Sequence, residues 1–159
     1  NWFKTYKDLY GLDYVVLRYF NAFGERQQGG SPYSGVIGNW IHALYFKKPL
    51  VVYGDGNQTR DFVHVSDIVK ANIQALKLES NSDFKVFNIC NETKTSLNSI
   101  VAYFKENIND KFQVIYENAR LGEVKNCTGS NQRAQLVLNW KPNQSIWQGL
   151  QKTIHWRGL

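Results

Sequence analysis

Apolar residues recur along this chain at two alternating periods. "NWFKTYKDLYG" has the spacing of the last turns of a helix stopped by Gly11, and Val15 to Tyr19 follows as an apolar strand. Val36, Ile37, Trp40, Ile41, Leu44 and Tyr45 return at helical spacing; Pro49 ends that helix, and Leu50 to Tyr53 predicts a short strand. Ser66 or Asp67 is placed to cap a helix with Ile68, Ala71, Ala75 and Leu76 on its inward face and Val69 and Ile73 beside it. Val86 to Ile89 reads as a strand, and Thr95 or Ser96 opens a helix lined by Leu97, Ile100, Val101, Phe104 and Ile108. Val114 to Tyr116 predicts a strand, 118–128 a loop and Asn131 to Leu138 a short helix, while Ser145 caps a last helix carrying Ile146, Leu150 and Ile154. Strand, cap and helix in alternation predict an α/β fold with at least some parallel pairing.

Two stretches escape this rhythm. Phe20 to Gly35, rich in Gly, Gln and Ser, predicts a long loop of the kind that often carries function. "GDGNQTRDFVHVSD", from Gly54 to Asp67, tests as a phosphate loop and fails. It lacks a third glycine, leads into a strand where a helix is needed, and has no P-loop lysine. Gly54 and Gly56 beside Asp55 and Asn57 instead suit a tight turn. If Arg60 to Val65 is extended, Arg60, Phe62 and His64 share one side and Asp61 faces the other. Arginine at a strand end beside a loop can grip phosphate, or can form an ordinary surface ion pair, and spacing allows both.

The chain has 159 residues, 43% hydrophobic and 20% charged, enough for one folded domain or a large piece of something bigger. Its net charge of +6 is scattered, with Lys47-Lys48 the longest basic run, so charge does not select nucleic acid. No apolar run approaches the roughly 18 residues of a membrane span, and no secretion-signal layout opens the chain, which sets the expectation of a cytoplasmic protein with reduced cysteines. His42, His64 and His155 fall in different elements with no ligand spacing, so no metal site is expected. Methionine is absent and the chain starts inside a helical pattern, which leads us to expect a fragment or the C-terminal part of a larger enzyme.

Five ordered stretches, "VVLRYFNAFGERQ", "SPYSGVIGNWI", "PLVVYGDGNQTRDFVHVSDIVKANIQAL", "VFNICNETKTSL" and "LGEVKN...LNWKP...GL", resemble extended short-chain dehydrogenase/reductases, specifically nucleotide-sugar epimerases of the UDP-glucose 4-epimerase kind. The resemblance implies the C-terminal part of an extended Rossmann-type enzyme: the last parallel strands of an NAD domain (1–30 and roughly 84–108) plus a small α/β substrate-binding domain (31–83 and 109–159). It implies an NAD-dependent epimerase acting on a UDP-sugar. In the family the chain resembles, hydride passes from the sugar C4 to NAD, with a tyrosine taking the proton, and returns to the opposite face.

That chemistry needs a Tyr-x-x-x-Lys pair and a glycine-rich fingerprint. No tyrosine here has lysine four residues later and no Gly-x-x-Gly-x-x-Gly occurs. The catalytic residues are therefore expected upstream of Asn1, and the chain alone is expected to be inactive.

By resemblance, Tyr19 and Phe20 would lie near the nicotinamide and Asn21 would bond the diphosphate or sugar. Gly35 and Val36 would approach the nucleotide, Val51 and Tyr53 would flank the uracil, and Arg60 and Arg120 would converge on the phosphates. Glu123 stands where the family usually has aspartate for the ribose hydroxyls. Asn131 similarly replaces a frequent aspartate, and Cys90 a frequent glycine. Other epimerases, 4,6-dehydratases and decarboxylases share this scaffold. From another class, a non-catalytic domain binding nucleotide sugars or nucleic acid is the competing reading. Many family members form homodimers, largely through helices of the other half.

Overall fold

The computed structural model describes residues 2–31, 33–78, 85–108 and 111–159. The elements run α1 (Trp2–Tyr10), β1 (Val16–Tyr19), β2 (Asn21–Phe23), α2 (Val36–Tyr45), β3 (Leu50–Tyr53), β4 (Thr59–Arg60), β5 (Phe62–His64), α3 (Val65–Leu76), β6 (Val86–Ile89), β7 (Thr95–Ser96), α4 (Leu97–Asn107), β8 (Val114–Glu117), α5 (Gln132–Leu138) and α6 (Ile146–Arg157). The punctuation acts as chemistry dictates. Gly11, at φ 67°, closes α1. Ser96 accepts the Ser99 amide at the start of α4, and Ser145 with Gln148 forms a capping box on α6.

Three strand pairs are parallel, β1 with β6, β2 with β5 and β3 with β8, and β4 with β7 is antiparallel. Two hydrophobic clusters hold them. One joins Phe23, α2, β3, Phe62, α4 and α6. The other joins Val63, α3, β6, α5 and Trp140, with Leu17 and Phe20 packed against it.

Four sequence expectations need correcting. The loop expected from Phe20 to Gly35 contains β2, because the Asn21–Phe23 backbone pairs with β5. The single strand expected from Arg60 to Val65 is two strands in different sheets. Asp61 separates them: its buried carboxylate accepts the amides of Asn91 at 2.7 Å and Gly129 at 3.5 Å. Phe62, Val63 and His64 are consequently all buried, and Arg60 does not share an open face with His64. His64 caps α3 in place of Ser66 or Asp67, its ring accepting the Ser66 amide. On α3 itself, Ile68 and Ala71 are buried as expected, but Leu76 is 87% exposed.

The packing also regroups the segments. Helix α4, placed by the sequence with 84–108 and β6, packs with α2, β3 and α6. Helix α3, placed with 31–83, packs beside β1, β2 and α5. Residues 79–84, 109 and 110, where those boundaries fall, lie outside the described residues.

Candidate functional site

The site begins with β3. Leu50 and Val52 alternate into the core, which leaves Val51 and Tyr53 on the open face. The Trp40 indole of α2 donates to the Val51 carbonyl at 2.9 Å and fixes helix against strand. Parallel pairing sets Tyr53 beside Glu117, and the Gly54 amide continues the ladder to the Glu117 carbonyl at 2.8 Å. The segment leaving β8 therefore starts next to Tyr53. Three residues later the Arg120 guanidinium carbon stands 4.0 Å from the Tyr53 ring centroid, a cation–π contact.

The turn at 54–57 is anchored rather than mobile. Gly54 and Gly56 have φ of +79° and +75°. Asp55 accepts the Asn57 amide at 2.9 Å, and that bond holds its carboxyl below the usual range. At the head of α4, Asn98 donates to the Asp55 carbonyl at 3.0 Å and its backbone amide reaches Gly56 at 2.9 Å.

Beyond the turn, β4 is stitched to the segment after β8. The Thr59 amide donates to Lys125 at 2.8 Å, and the Cys127 amide donates to Thr59 at 3.1 Å. This brings Glu123 to Arg60, whose Nη2 lies 2.8 Å from Oε1 with both side chains largely covered. Arg60 also donates to the carbonyls of Thr59 at 2.9 Å and Lys125 at 3.4 Å. Backbone pairing thus brings Arg120 and Glu123 next to a third residue, Arg60, 63 positions before Glu123.

Two adjoining cavities result. One, of about 540 Å³, is lined by Tyr53, by Gly54, Asp55, Asn57 and Gln58 of the turn, and by residues 119–120 and 123–126. The other, of about 420 Å³, is lined by Val36, Val51, α2 and Lys48, and shares Tyr53, Gln58, Arg120 and Glu123 with the first. Of the ten residues singled out in the sequence, Val36, Val51, Tyr53, Arg120 and Glu123 line the pair. Arg60 is bonded to that wall, and Gly35 caps α2 just before Val36.

Tyr19, Phe20 and Asn21 are not among the lining residues. Tyr19 donates to Asn72 on α3 at 2.9 Å, and Phe20 packs on Gly129, where a Cβ would meet its ring at 2.3 Å. Asn21 donates to the Asp61 carbonyl at 2.9 Å, one residue from Arg60.

Sequence reasoning missed Gln58. Its amide donates to the Tyr53 carbonyl at 2.6 Å, while its buried Oε1 has no hydrogen-bond partner and the residue lines both cavities. A polar residue directly after a turn carries no signal that separates it from a solvated one. Trp40 and Asn39 were equally hidden, the first inside an apolar helical period. Asn131 and Cys90 serve structure: the Asn131 amide side chain donates to the Cys90 carbonyl at 2.7 Å, and burial pushes the Cys90 thiol up to about 12. Both cysteines are free. Among the described residues no cluster of His, Cys, Asp and Glu is arranged to hold a metal, and no helix is long and apolar enough to cross a membrane.

The structure thus combines parallel strand pairs with an arginine-bearing cavity at the end of β3, the edge where open α/β sheets take ligands. Residues 1–90 match the NAD dependent epimerase/dehydratase family, and the chain belongs to it. It is 36% identical over 153 residues to a putative UDP-glucose 4-epimerase of Methanocaldococcus jannaschii, covering 96% of this chain and 48% of that protein. Its structure superposes with TM-score 0.87 and 31% identity on the UDP-glucose 4-epimerase of Thermotoga maritima solved with UDP-glucose, covering 98% of this chain and 49% of that one. A UDP-glucuronic acid 4-epimerase of Bacillus cereus, solved with UDP-glucuronic acid and NAD, superposes with TM-score 0.85 at 26% identity, covering 98% of this chain and 48% of that one. The chain thus spans about half the length of the relatives it matches.

Proposed function

We propose that this chain forms the nucleotide-sugar-holding part, together with the last strands of the NAD-binding part, of an NAD-dependent UDP-sugar 4-epimerase of the UDP-glucose/UDP-galactose type. One observation carries the reading: the β3–β8 ladder and the β4 stitch gather Tyr53, Arg120 and Glu123 around one cavity and bond Arg60 to its wall through Glu123.

Two guanidinium groups match a diphosphate, since each forms charge-assisted bonds and a buried phosphate cannot stay unpaired. Tyr53 and Val51 offer an aromatic and an aliphatic surface to the base. Glu123, bonded to Arg60, supplies a carboxylate for ribose hydroxyls, and Asn21 reaches the diphosphate or sugar from the start of β2. Binding energy gathered here would hold the sugar for chemistry performed elsewhere in the intact protein.

Tyr19 and Phe20 follow the carboxyl ends of parallel strands, the edge where open α/β sheets take ligands, and Tyr19 is half exposed there, so these residues fit NAD as flanking contacts. When bound, NAD supplies the hydride acceptor. Proton removal falls to residues outside this chain, which has no Tyr-x-x-x-Lys. The two-part division, now drawn along the two hydrophobic clusters, belongs to the same proposal. So do a cytoplasmic setting, which two free cysteines suit, the absence of a nucleic-acid partner, and room for a homodimer of the intact enzyme.

Calorimetry with UDP and UMP tests the reading. UDP should bind saturably, and UMP, which engages one phosphate fewer, about tenfold more weakly or worse. With NAD and UDP-galactose the chain alone should show no turnover. Absence of UDP binding would remove the proposal, and binding of single-stranded RNA with a steep salt dependence would favour the nucleic-acid reading.

A further inference from the structure

We propose that the C-terminal ends of α2 and α6 form a docking surface for an anionic lipid bilayer, met from the aqueous side and not crossed. The two helices pack against one another. Where they end, Tyr45, Phe46 and Trp156 are 49%, 52% and 45% exposed, three large aromatic side chains that the fold leaves half in water.

Arg157 ties the rings into one cluster: its guanidinium carbon lies 3.8 Å from the Tyr45 ring centroid and 6.0 Å from that of Trp156. Tyr45 meets Phe46 edge to face at 5.1 Å, and Phe46 rests 4.6 Å from the His42 ring. The chain leaving α2 is fixed as well. The Lys48 amide donates to the Ala43 carbonyl at 2.8 Å, and Lys47, at φ 54°, closes the helix in a left-handed turn. A capped helix end, not a loose loop, therefore presents Phe46, Lys47 and Lys48, and all three are exposed.

The charge around this cluster has one sign. Arg26 shares a surface depression with Trp156 and Arg157, and Lys47 and Lys48 follow Phe46. Among the described residues none of these four cations forms an ion pair. Residues 26–54 and 124–159, which supply α2, α6 and the segments beside them, contain none of the chain's 13 aspartates and glutamates. The carboxylate nearest in sequence, Glu25, is turned to buried His64 at 3.1 Å. Soluble surfaces ordinarily interleave both signs, so an aromatic patch ringed by one sign matches a partner that is itself uniformly charged.

An anionic bilayer satisfies both halves of the patch. Tyrosine and tryptophan, with an apolar body and a polar tip, settle at the headgroup level, and each lysine or arginine near the surface is drawn to anionic headgroups. Single-stranded nucleic acid would match the charge but needs open ring faces for its bases. Here Arg157 covers a face of Tyr45, and Phe46 is packed against both Tyr45 and His42. The exposed apolar residues of α1 lack this charge pattern, since Asp8 lies next to Lys7.

Co-sedimentation of the full chain with vesicles tests the proposal, comparing phosphatidylcholine alone with an equal mixture of phosphatidylcholine and phosphatidylglycerol. The mixed vesicles should carry the chain down, the neutral ones should not, and added salt should release it. Arg26→Gln combined with Lys47→Gln should weaken binding about tenfold or more. Phe46→Ser combined with Trp156→Ser should weaken it about tenfold. If the second pair lowers the melting midpoint, the first, which removes no packed ring, decides alone. Trp2→Ser with Tyr10→Ser, on exposed α1, should change nothing. Absent or equal binding to the two kinds of vesicle, full affinity in the first pair, or an equal loss from the α1 pair would overturn the docking surface, whatever the outcome with UDP. Binding of single-stranded RNA without vesicle binding, lost in the first pair, would overturn it in favour of nucleic acid.

Discussion

The cluster beneath the nucleotide cavity and the cluster around β6 are built from the same residue types, yet they meet solvent differently. In the first, α2, α4 and α6 turn Ile37, Trp40, Phe104 and Leu150 inward, and all are at most 3% exposed. In the second region, α1 buries no residue, leaving Trp2 79% and Leu9 67% exposed, and α3 leaves Val69 and Ile73 about half exposed. The cavity is thus shaped by packing that closes on itself, whereas β1, α1 and α3 present an apolar face.

Mutations can break this contrast. Phe104→Ala, under the cavity, should cost about 3–5 kcal/mol of stability in urea unfolding, because rigid neighbours leave a void. A loss under about 1 kcal/mol would show that this cluster is not the closed one. Arg120→Ala should weaken UDP by about 1.5 kcal/mol or more, since it removes a charge-assisted contact together with the stacking on Tyr53. Unchanged affinity would detach the 119–126 segment from the site.

A smaller effect follows from His64, wedged where the two clusters meet, 2% exposed and 3.1 Å from Glu25. Burial holds its imidazole below the ordinary 6.5, outweighing the pull of Glu25 upward. A depressed pKa contributes stability above the unfolded value that is lost as pH falls. Thermal melting should therefore decline from pH 7 toward 5, and His64→Gln should flatten the decline. Asp61, raised by burial, acts in the opposite sense and nearer the carboxylate range. A midpoint that rises as pH falls through 6.5 would refute the assignment. Smallest of all, Val69→Ser on exposed α3 should stay within about 0.5 kcal/mol of wild type.

Much of the fold was legible because period and punctuation are local. Leu50–Tyr53 and Val86–Ile89 fell where predicted, and the Leu97–Ile108 face is buried throughout. Local pattern cannot report what covers an apolar stripe, which is why Leu76 was expected inside and stands outside. Nor can it show two-residue pairings such as β4 with β7, or a strand broken by a buried carboxylate at Asp61. Arg60 and Arg120 were assigned to a site by resemblance, since spacing allowed a plain surface ion pair equally well. Their meeting depends on a stitch between Thr59 and residues 125–127, and Gln58 gains its place only from that closure.

The most direct test of the central claim is a calorimetric titration of UDP into the chain and its Arg60→Ala variant. The account predicts one saturable site, weakened by about 2 kcal/mol, roughly thirtyfold, when the guanidinium that joins Glu123 to the cavity wall is removed. No saturable heat with the wild type, or equal affinity in both proteins, would contradict it.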